Sequence, residues 1–512
     1  MRPIRLVSGF LTVGGWTLLS RVVGFIRDMM MAAYLGTGPV AEAFFVAFSL
    51  PNMFRRFFAE GAFNMAFVPM FAKKYEAGED AEGFARDAYW GLTSALIVFT
   101  LAGMLAMPLL VLAMAAGFHG DERFGLAVDF GLITFPYILF ISLTALLSGV
   151  LNATGRFMAT AAVPILMNAL FILAIWIALW RDWPMGMTLA WTVPITGIAQ
   201  LGMTWVAARR AGFSFRFRWP RLTPELRRLA VIAAPAVLAG GVVQVNLIVG
   251  RQVASFTEGA IAWLNYADRL YQLPLGVVGI AVGVVLLPEL SRRLRAGDVA
   301  GGRASFNRAT EFALALTLPA AVALMVIAVP LVSVLFGRGA WTAADTTNTA
   351  LALAIYGAGL PAFVLHKVLQ PLYYAREDTR SPFRFALWSM VVNAVLAIGL
   401  MPLIGFAAAA LGTTLAAWAM VWQLWSGTRS MGEAAEVDDR LRSRLVRIGG
   451  ACGIMGLCLL AAAAAMGDWL TAPGLRYLAL GALVLLGIVT YFGSGFALGA
   501  FRTADLRGAL RR

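Results

Sequence analysis

The sequence AAVPILMNALFILAIWIALW, residues 161–180, contains no charged side chain and decides the fold class of this chain. Its length matches the roughly 20 residues that an α-helix needs to cross about 30 Å of hydrocarbon. Similar uncharged blocks occur at residues 93–114 and 477–500. Helices buried in soluble proteins rarely stay this apolar for so long, so these blocks predict transmembrane helices.

The composition supports a membrane protein and excludes several other classes. Of 512 residues, 60% are hydrophobic and 13% charged, whereas a soluble domain carries about 25% charged residues. Cys452 and Cys458 lie in one apolar segment and form neither a disulfide framework nor a metal pattern. His119 and His366 are too far apart in sequence to suggest a metal site. The first apolar segment lacks the features of a cleavable signal, so we expect it to stay in the membrane.

We predict an all-α polytopic membrane protein with about fourteen transmembrane helices. The predicted spans are residues 10–35, 40–70, 88–114, 126–151, 157–180, 186–208, 229–250, 259–290, 309–336, 347–374, 385–402, 404–427, 448–467 and 477–500. An even number of spans places both termini on the same side of the membrane.

The distribution of Lys and Arg indicates which side that is. Of 41 cations, 30 lie on the side of the termini, and only five lie in the opposite loops: Arg123, Arg181, Arg251, Arg338 and Arg476. This asymmetry predicts cytoplasmic N- and C-termini. The net charge of +14 is then explained by topology and by contact with anionic membrane lipids. It requires no nucleic-acid partner.

The remaining six cations lie inside predicted spans: Arg21, Arg27, Arg55, Arg56, Arg269 and Lys367. An arginine at the bilayer centre costs about 2.5–3.5 kcal/mol on insertion scales, so such residues are functional candidates. On the first span, Ser20, Gly24 and Arg27 share a face at helical spacing. Arg21 and Asp28 lie about 100° round the helix from them.

Two further spans repeat this polar pattern. The second span contains four charged residues: Glu42, Arg55, Arg56 and Glu60. Pro51 and Gly61 bracket its arginines and predict a bent or broken helix. The eighth span places Asn265, Asp268, Arg269 and Gln272 on one sector. Pro274 and a series of glycines follow them, which repeats the pattern of a bent or broken helix.

These residues have two interpretations. They can form internal salt bridges, joining Arg27 or Arg21 to Asp28, Arg56 to Glu60, and Arg269 to Asp268. Alternatively, they line a cationic cavity for an anionic substrate, because arginines exceed nearby acids and Arg binds phosphate bidentately. Buried ion pairs seldom stabilise a protein more than apolar packing does, which favours the cavity. Lys367 can equally snorkel from a helix end.

A weak internal repeat predicts two six-helix lobes. Residues 68–78 align with 287–297 at an offset of 219, and Asn168 aligns with Asn393 at an offset of 225. We predict an N-terminal lobe with its linker over 1–228, a second lobe over 229–428, and a linker with two additional helices over 429–512. A central cavity would lie between the lobes, walled by spans one, two, seven and eight. The last two helices either pack on the second lobe or form a lipid-tail groove.

Five segments resemble the MurJ/MviN lipid II flippases, a family within the superfamily of multidrug and polysaccharide-unit exporters. The segments are SRVVGFIRD at 20–28, AFFVAF at 43–48, PNMFRRFFAEGAF at 51–63, FVP at 67–69 and YADRL at 266–270. The resemblance extends over essentially the whole chain, and the second-span segment is the most specific. Two positions depart from the family pattern. Glu42 stands where Asp is frequent, and Gln272 stands where the family can carry Glu.

The resemblance implies a transporter rather than an enzyme, located in the bacterial inner membrane. It would move undecaprenyl-diphosphate-linked disaccharide-pentapeptide from the cytoplasmic to the periplasmic leaflet by alternating access. Arg21, Arg27 and Arg269 would hold the diphosphate, with Arg55 and Ser20 also in the binding set. The expected gating or charge partners are Asp28, Glu42, Arg56, Glu60, Asp268 and Gln272. No cofactor or metal is implied, the coupling ion (Na⁺, H⁺ or Cl⁻) is left open, and the peptidoglycan synthesis machinery is an expected partner.

Three other functions compete with this interpretation. A flippase for another undecaprenyl-diphosphate-linked glycan would need the same arginines, because the substrates share a diphosphate. A cation-coupled drug exporter should instead have a cavity dominated by carboxylates. A membrane enzyme or scaffold has little support, because the sequence contains no nucleotide-binding loop, metal pattern or nucleophile–base pair.

Overall fold

A computed structural model of the chain describes residues 6–56 and 62–501, and these residues form helices without a single β-strand. Nineteen α-helices follow one another in this described part of the chain. Their bounds are α1 Leu6–Tyr34, α2 Pro39–Arg55, α3 Ala62–Glu76, α4 Ala81–Leu105, α5 Met107–Met114, α6 Glu122–Thr134, α7 Tyr137–Ala153, α8 Phe157–Arg181, α9 Met185–Arg210, α10 Pro224–Ser255, α11 Ala260–Arg295, α12 Val299–Val326, α13 Ala328–Phe336, α14 Ala343–Tyr374, α15 Arg380–Ile404, α16 Ala407–Gly427, α17 Asp439–Ala465, α18 Gly467–Thr471 and α19 Leu475–Ala497.

Each of the fourteen predicted spans coincides with one helix or with two consecutive helices. Within the described residues, nine helical segments are long and apolar enough to cross a membrane. The all-α polytopic fold is therefore confirmed. A proline explains why one predicted span is observed as two consecutive helices, α4 and α5. Pro108 at the start of α5 cannot donate a backbone hydrogen bond, and the helix is interrupted at Ala106.

The chain divides into two compact units, Met1–Ala262 and Trp263–Arg512. The predicted lobe boundary at residue 228 is not where this division falls. Helix α10 belongs to the first unit because it packs against α3, α4 and α5. The assignment of residues 229–428 to one transport lobe stays a prediction.

The segments that the sequence aligns end in the same kind of turn in both units. Gly78 and Gly297 end the repeated segment with positive φ values of 69° and 73°, a conformation that glycine adopts without steric cost. Shortly after each glycine, an aspartate caps the next helix. Asp80 caps α4 and Asp298 caps α12, each by accepting a hydrogen bond from a backbone N–H.

In the first unit, the linker between α9 and α10 is anchored to α4. The Phe215 ring packs 5.3 Å from that of Tyr89, measured between centroids. The Trp90 indole donates to the carbonyl of Arg216 at 3.1 Å. A salt bridge of 3.1 Å joins Arg218 to Asp87. The basic linker is thus held to the first unit by both aromatic packing and charge.

In the second unit, the two additional helices pack on α12. The Tyr491 hydroxyl of α19 donates to the carbonyl of Ala315 at 2.5 Å. Glu311 of α12, 9% exposed, accepts hydrogen bonds from Arg308, Arg440 and Arg444. This carboxylate therefore holds the start of α17, where Arg444 is 8% exposed, against α12.

We predict that Glu311→Ala destabilises the second unit, because it leaves the buried Arg444 guanidinium without its carboxylate. Removing one partner of a buried ion pair costs about 3–5 kcal/mol. The measurement is the thermal unfolding temperature of the purified protein in detergent. Glu433→Ala removes an exposed carboxylate from the same linker and should leave that temperature unchanged. Equal unfolding temperatures for the two variants would contradict the anchoring role.

Candidate functional site

The polar sector of α1 centres on a buried ion pair between adjacent residues. Arg27 and Asp28 are 8% and 9% exposed. The Arg27 Nε and Nη2 atoms donate to Asp28 Oδ1 at 3.1 and 2.6 Å. The salt bridge predicted for Arg27 is therefore present, and this carboxylate compensates part of the arginine charge.

A third side chain, Asn168 of α8, completes this cluster. Its Oδ1 atom accepts a hydrogen bond from Arg27 Nη1 at 2.9 Å. Its Nδ2 atom donates to the backbone carbonyl of Ser20 at 3.1 Å. Ser20 thus enters the cluster through its backbone. The Arg27 guanidinium also lies 5.6 Å from the centroid of the Phe171 ring, a cation–π distance.

The α1 cluster retains both positive charge and donor capacity. A guanidinium has five N–H donors, and three hydrogen bonds from Arg27 are formed with described residues. Half-buried Arg21 is six residues away, about 9 Å along the helix axis. Two arginines and one aspartate leave one net positive charge, which is suited to an anionic ligand.

Helix α2 brings further charges near its end. Pro51 has no N–H to bond the carbonyl of Ala47, and that carbonyl instead accepts from the Thr134 hydroxyl at 3.2 Å. Arg55 is half-buried in the last turn of α2, and Arg56 follows it exposed at the helix end.

Part of the second-span prediction cannot be compared with the structure. Glu60 and the helix break predicted at Gly61 lie outside the described residues. The proposed pairing of Glu60 with Arg56 therefore stays a prediction.

At the other end of α2, Glu42 is fully buried and paired. Its Oε2 atom lies 2.9 Å from Arg123 Nη1 of α6. Its Oε1 atom accepts from the backbone N–H of Ile261, at the start of α11, at 3.0 Å. The longer glutamate side chain therefore joins two distant segments of the first unit.

Sequence reasoning missed the role of Arg123, which it counted as a loop cation. That interpretation is wrong, because Arg123 lies in the first turn of α6 and is only 7% exposed. Its Nε donates to Asp121 at 2.8 Å. Burial raises the pKa of Asp121, but hydrogen bonds from Arg123 outweigh that effect and leave the pKa below its ordinary value of 3.8. The feature of the sequence that could have indicated this role is the position of Arg123, two residues after Asp121, the acidic cap of α6.

The turn between α10 and α11 is fixed to the same region by neutral groups. Gln252 donates to the carbonyls of Leu112 and Ala113, both at 2.7 Å. The backbone N–H of Gly117 donates to the Ser255 hydroxyl at 2.9 Å. A Cβ atom at Gly117 would lie 2.5 Å from the Ser255 backbone, so only glycine permits this approach. We refer to Glu42, Arg123, Gln252 and Ser255 as the turn clasp.

In the second unit, Asp268, Arg269 and Gln272 are half-buried on α11. The Gln272 amide donates to the Asp268 carboxylate. In this chain, Gln272 occupies the position where the family can carry Glu. It therefore donates a hydrogen bond to the Asp268 carboxylate. The span is not broken, because α11 is one helix through Pro274 and Pro288. A bend at this place stays a prediction. Lys367 is half-buried on α14.

Comparison with known proteins identifies the family. The family model described as "Lipid II flippase MurJ" matches residues 31–478. A probable lipid II flippase MurJ from Rhizobium tropici is 44% identical over 99% of this chain and 97% of its own length. A lipid II flippase MurJ from Burkholderia cenocepacia is 35% identical over 98% of this chain and 99% of its own length.

The chain belongs to the lipid II flippase MurJ family. A solved MurJ structure, in an inward closed conformation, matches with a TM-score of 0.79 and 25% identity, covering 95% of this chain and 98% of that one. An inward-facing multidrug MATE transporter matches with a TM-score of 0.66 at 13% identity, over 81% of this chain and 95% of its own, and this likeness concerns the fold alone. This is a family of flippases, which are transporters rather than enzymes.

Within this MurJ-family chain, contacts between described residues join several of the predicted site residues. Ser20, Arg27 and Asp28 form one cluster, and Asp268 and Gln272 form a pair on α11. Glu42 lies in the turn clasp, with partners that the sequence did not predict. Among the described residues, no group of His, Cys, Asp and Glu side chains could hold a metal ion.

We predict that Arg123→Ala loosens the turn clasp, because Glu42 then loses its buried cation. An unsatisfied buried group costs about 1–3 kcal/mol, so hydrogen exchange of the backbone amides at 255–262 should accelerate by about tenfold or more. The measurement is hydrogen–deuterium exchange with mass spectrometry. Arg181→Ala removes an exposed arginine of the same unit and serves as the control. Unchanged exchange in the Arg123→Ala protein would contradict the clasp.

Proposed function

We propose that this protein is a lipid II flippase of the bacterial inner membrane, with cytoplasmic N- and C-termini. It would carry undecaprenyl-diphosphate-linked disaccharide-pentapeptide from the cytoplasmic to the periplasmic leaflet. The observation that carries the proposal is the partly compensated Arg27 cluster on a helix of a MurJ-family chain. The diphosphate is the part of such a substrate that this cluster fits best.

The binding step follows from charge and geometry. Arg27 keeps N–H donors for a ligand, and Arg21 adds a second cation on the same helix. Diphosphate oxygens would accept charge-assisted hydrogen bonds from these guanidinium groups, which are roughly twice as strong as neutral ones. We include Arg55 and Arg269 in the same binding set. The isoprenoid tail would stay among the membrane lipids. We also propose that α17 and α19 form the groove in which this tail lies.

The transport step needs a contact that forms and breaks. The turn clasp is suited to this role, because it fixes the start of α11 through Glu42 and the end of α10 through Gln252. We propose that the clasp closes one access route and opens when bound diphosphate neutralises the arginines. An inside-negative potential would favour outward movement of an anion by about 2.3 kcal/mol per charge per 100 mV.

The proposal includes no cofactor. It leaves the choice of coupling ion among Na⁺, H⁺ and Cl⁻ to experiment. The peptidoglycan synthesis machinery is the proposed consumer of the product, because the exported precursor must be polymerised outside the membrane.

The test is complementation in cells depleted of their own lipid II flippase. The wild-type chain should restore growth and expose lipid II on the periplasmic face. Replacement of Arg21, Arg27, Arg55 or Arg269 by Ala should abolish both, because the diphosphate loses a cation. Lys at the same positions should restore them only in part, because Lys cannot bind bidentately.

Membrane levels of every variant are measured in parallel, and Arg209→Ala, which alters an exposed arginine at the end of α9, is the control. Wild-type protein that is present in the membrane yet exports no lipid II would overturn the proposed substrate. A flippase for another diphosphate-linked glycan would then be tested with the same variants.

A further inference from the structure

We propose that Asn168 is a positioning residue for substrate binding, which orients Arg27 through a neutral hydrogen bond and so preserves its positive charge. The inference rests on the proposed function, since it concerns how this chain presents Arg27 to a diphosphate. Asn168 lies 141 residues from Arg27 in sequence, on a different helix. The pattern of charges in the sequence gives no indication of it.

The hydrogen bonds fix the orientation of the Asn168 amide. Only an oxygen can accept from Arg27 Nη1, and only a nitrogen can donate to the Ser20 carbonyl. Gly24 leaves room for the amide, since a Cβ atom there would lie 3.0 Å from Asn168 Nδ2. The side chain is 7% exposed. It is thus a packed, fully specified bridge between α1 and α8.

The neutrality of this bridge is the central point. Asp28 already accepts two hydrogen bonds from Arg27 and compensates its charge. A carboxylate at position 168 could still accept from Arg27 Nη1, but it would have no donor for the Ser20 carbonyl and would place a second negative charge beside the guanidinium. The amide bonds both groups without adding charge. The effect of the charge is therefore separated from the loss of the Ser20 bond by the choice of variants.

The second unit contains a buried asparagine in a similar setting. Asn393 of α15, aligned with Asn168 in the repeat, is fully buried beside Gly412 of α16. A Cβ atom at Gly412 would lie 2.8 Å from Asn393 Oδ1. Each unit therefore places a buried asparagine against a glycine of another helix. In the first unit, this asparagine is Asn168, which also accepts a hydrogen bond from Arg27 of the proposed site.

The experiment measures binding of undecaprenyl diphosphate to purified full-length protein in nanodiscs, with unfolding temperature as a check on folding. Asn168→Asp should weaken binding by about tenfold or more while the protein stays folded, because the added carboxylate repels the diphosphate. Asn152→Asp makes the same change at an exposed position of the first unit and should bind like wild type. Asn168→Leu, which removes both hydrogen bonds and adds no charge, should also weaken binding by releasing Arg27.

The decisive variant is the double replacement Asp28→Asn with Asn168→Asp, which moves the carboxylate from one side of Arg27 to the other. It should recover binding to within about threefold of wild type, because the charge around Arg27 is restored. A structural role alone predicts no such rescue. Wild-type affinity in the folded Asn168→Asp and Asn168→Leu proteins, or absence of rescue in the double variant, overturns the inference. Failure of the wild-type protein to bind the diphosphate would instead overturn the proposed function, and the inference with it.

Discussion

A guanidinium group inside a bilayer costs about 2.5–3.5 kcal/mol on insertion scales, and the polar architecture of this protein is arranged around that constraint. Most of its cations avoid the cost by lying outside the predicted spans. Each cation that lies within a transmembrane helix needs an ion-pair partner, contact with water or a bound ligand. How each arginine meets this requirement separates the residues that hold the fold together from those that can bind a substrate.

Three buried arginines show the difference. Arg444 contacts the Glu311 carboxylate, which two other arginines share, and together they anchor the additional helices. Arg123 lies between Glu42 and Asp121, so its charge is more than compensated. Arg27 has one carboxylate and one neutral amide as partners. Among the described residues, Arg27 therefore has a single carboxylate partner, and its other side-chain partner adds no charge.

The compensated arginines carry structural tasks that transport also requires. The turn clasp concentrates a buried carboxylate, a buried guanidinium and several backbone groups at one short connection between α10 and α11. Each group of the clasp that lost its partner would be costly while buried. In the proposed transport cycle, opening of the turn clasp would follow binding of the diphosphate at the Arg27 cluster.

The sequence predicted the helices well because apolar length is a local property. The first span, predicted over 10–35, is observed as Leu6–Tyr34. The pairing of Arg27 with Asp28 was one of the two interpretations that the sequence left open, because the residues are adjacent. The sequence could not predict the partners Asn168 and Arg123, because these lie 141 and 81 residues from Arg27 and Glu42 and meet them only through helix packing. The uninterrupted α11 was missed because proline marks a weak point in a helix without deciding whether it breaks.

The most direct test of the central claim compares the affinities of the purified protein for two lipids that differ only in their head: undecaprenyl diphosphate and uncharged undecaprenol. If Arg27 and its neighbours are held for a diphosphate, the charged lipid should bind at least about tenfold more tightly, which corresponds to about 1.4 kcal/mol. Arg27→Gln should remove most of that preference. Equal affinity of the wild-type protein for both lipids would contradict the account, because recognition would then rest on the tail alone.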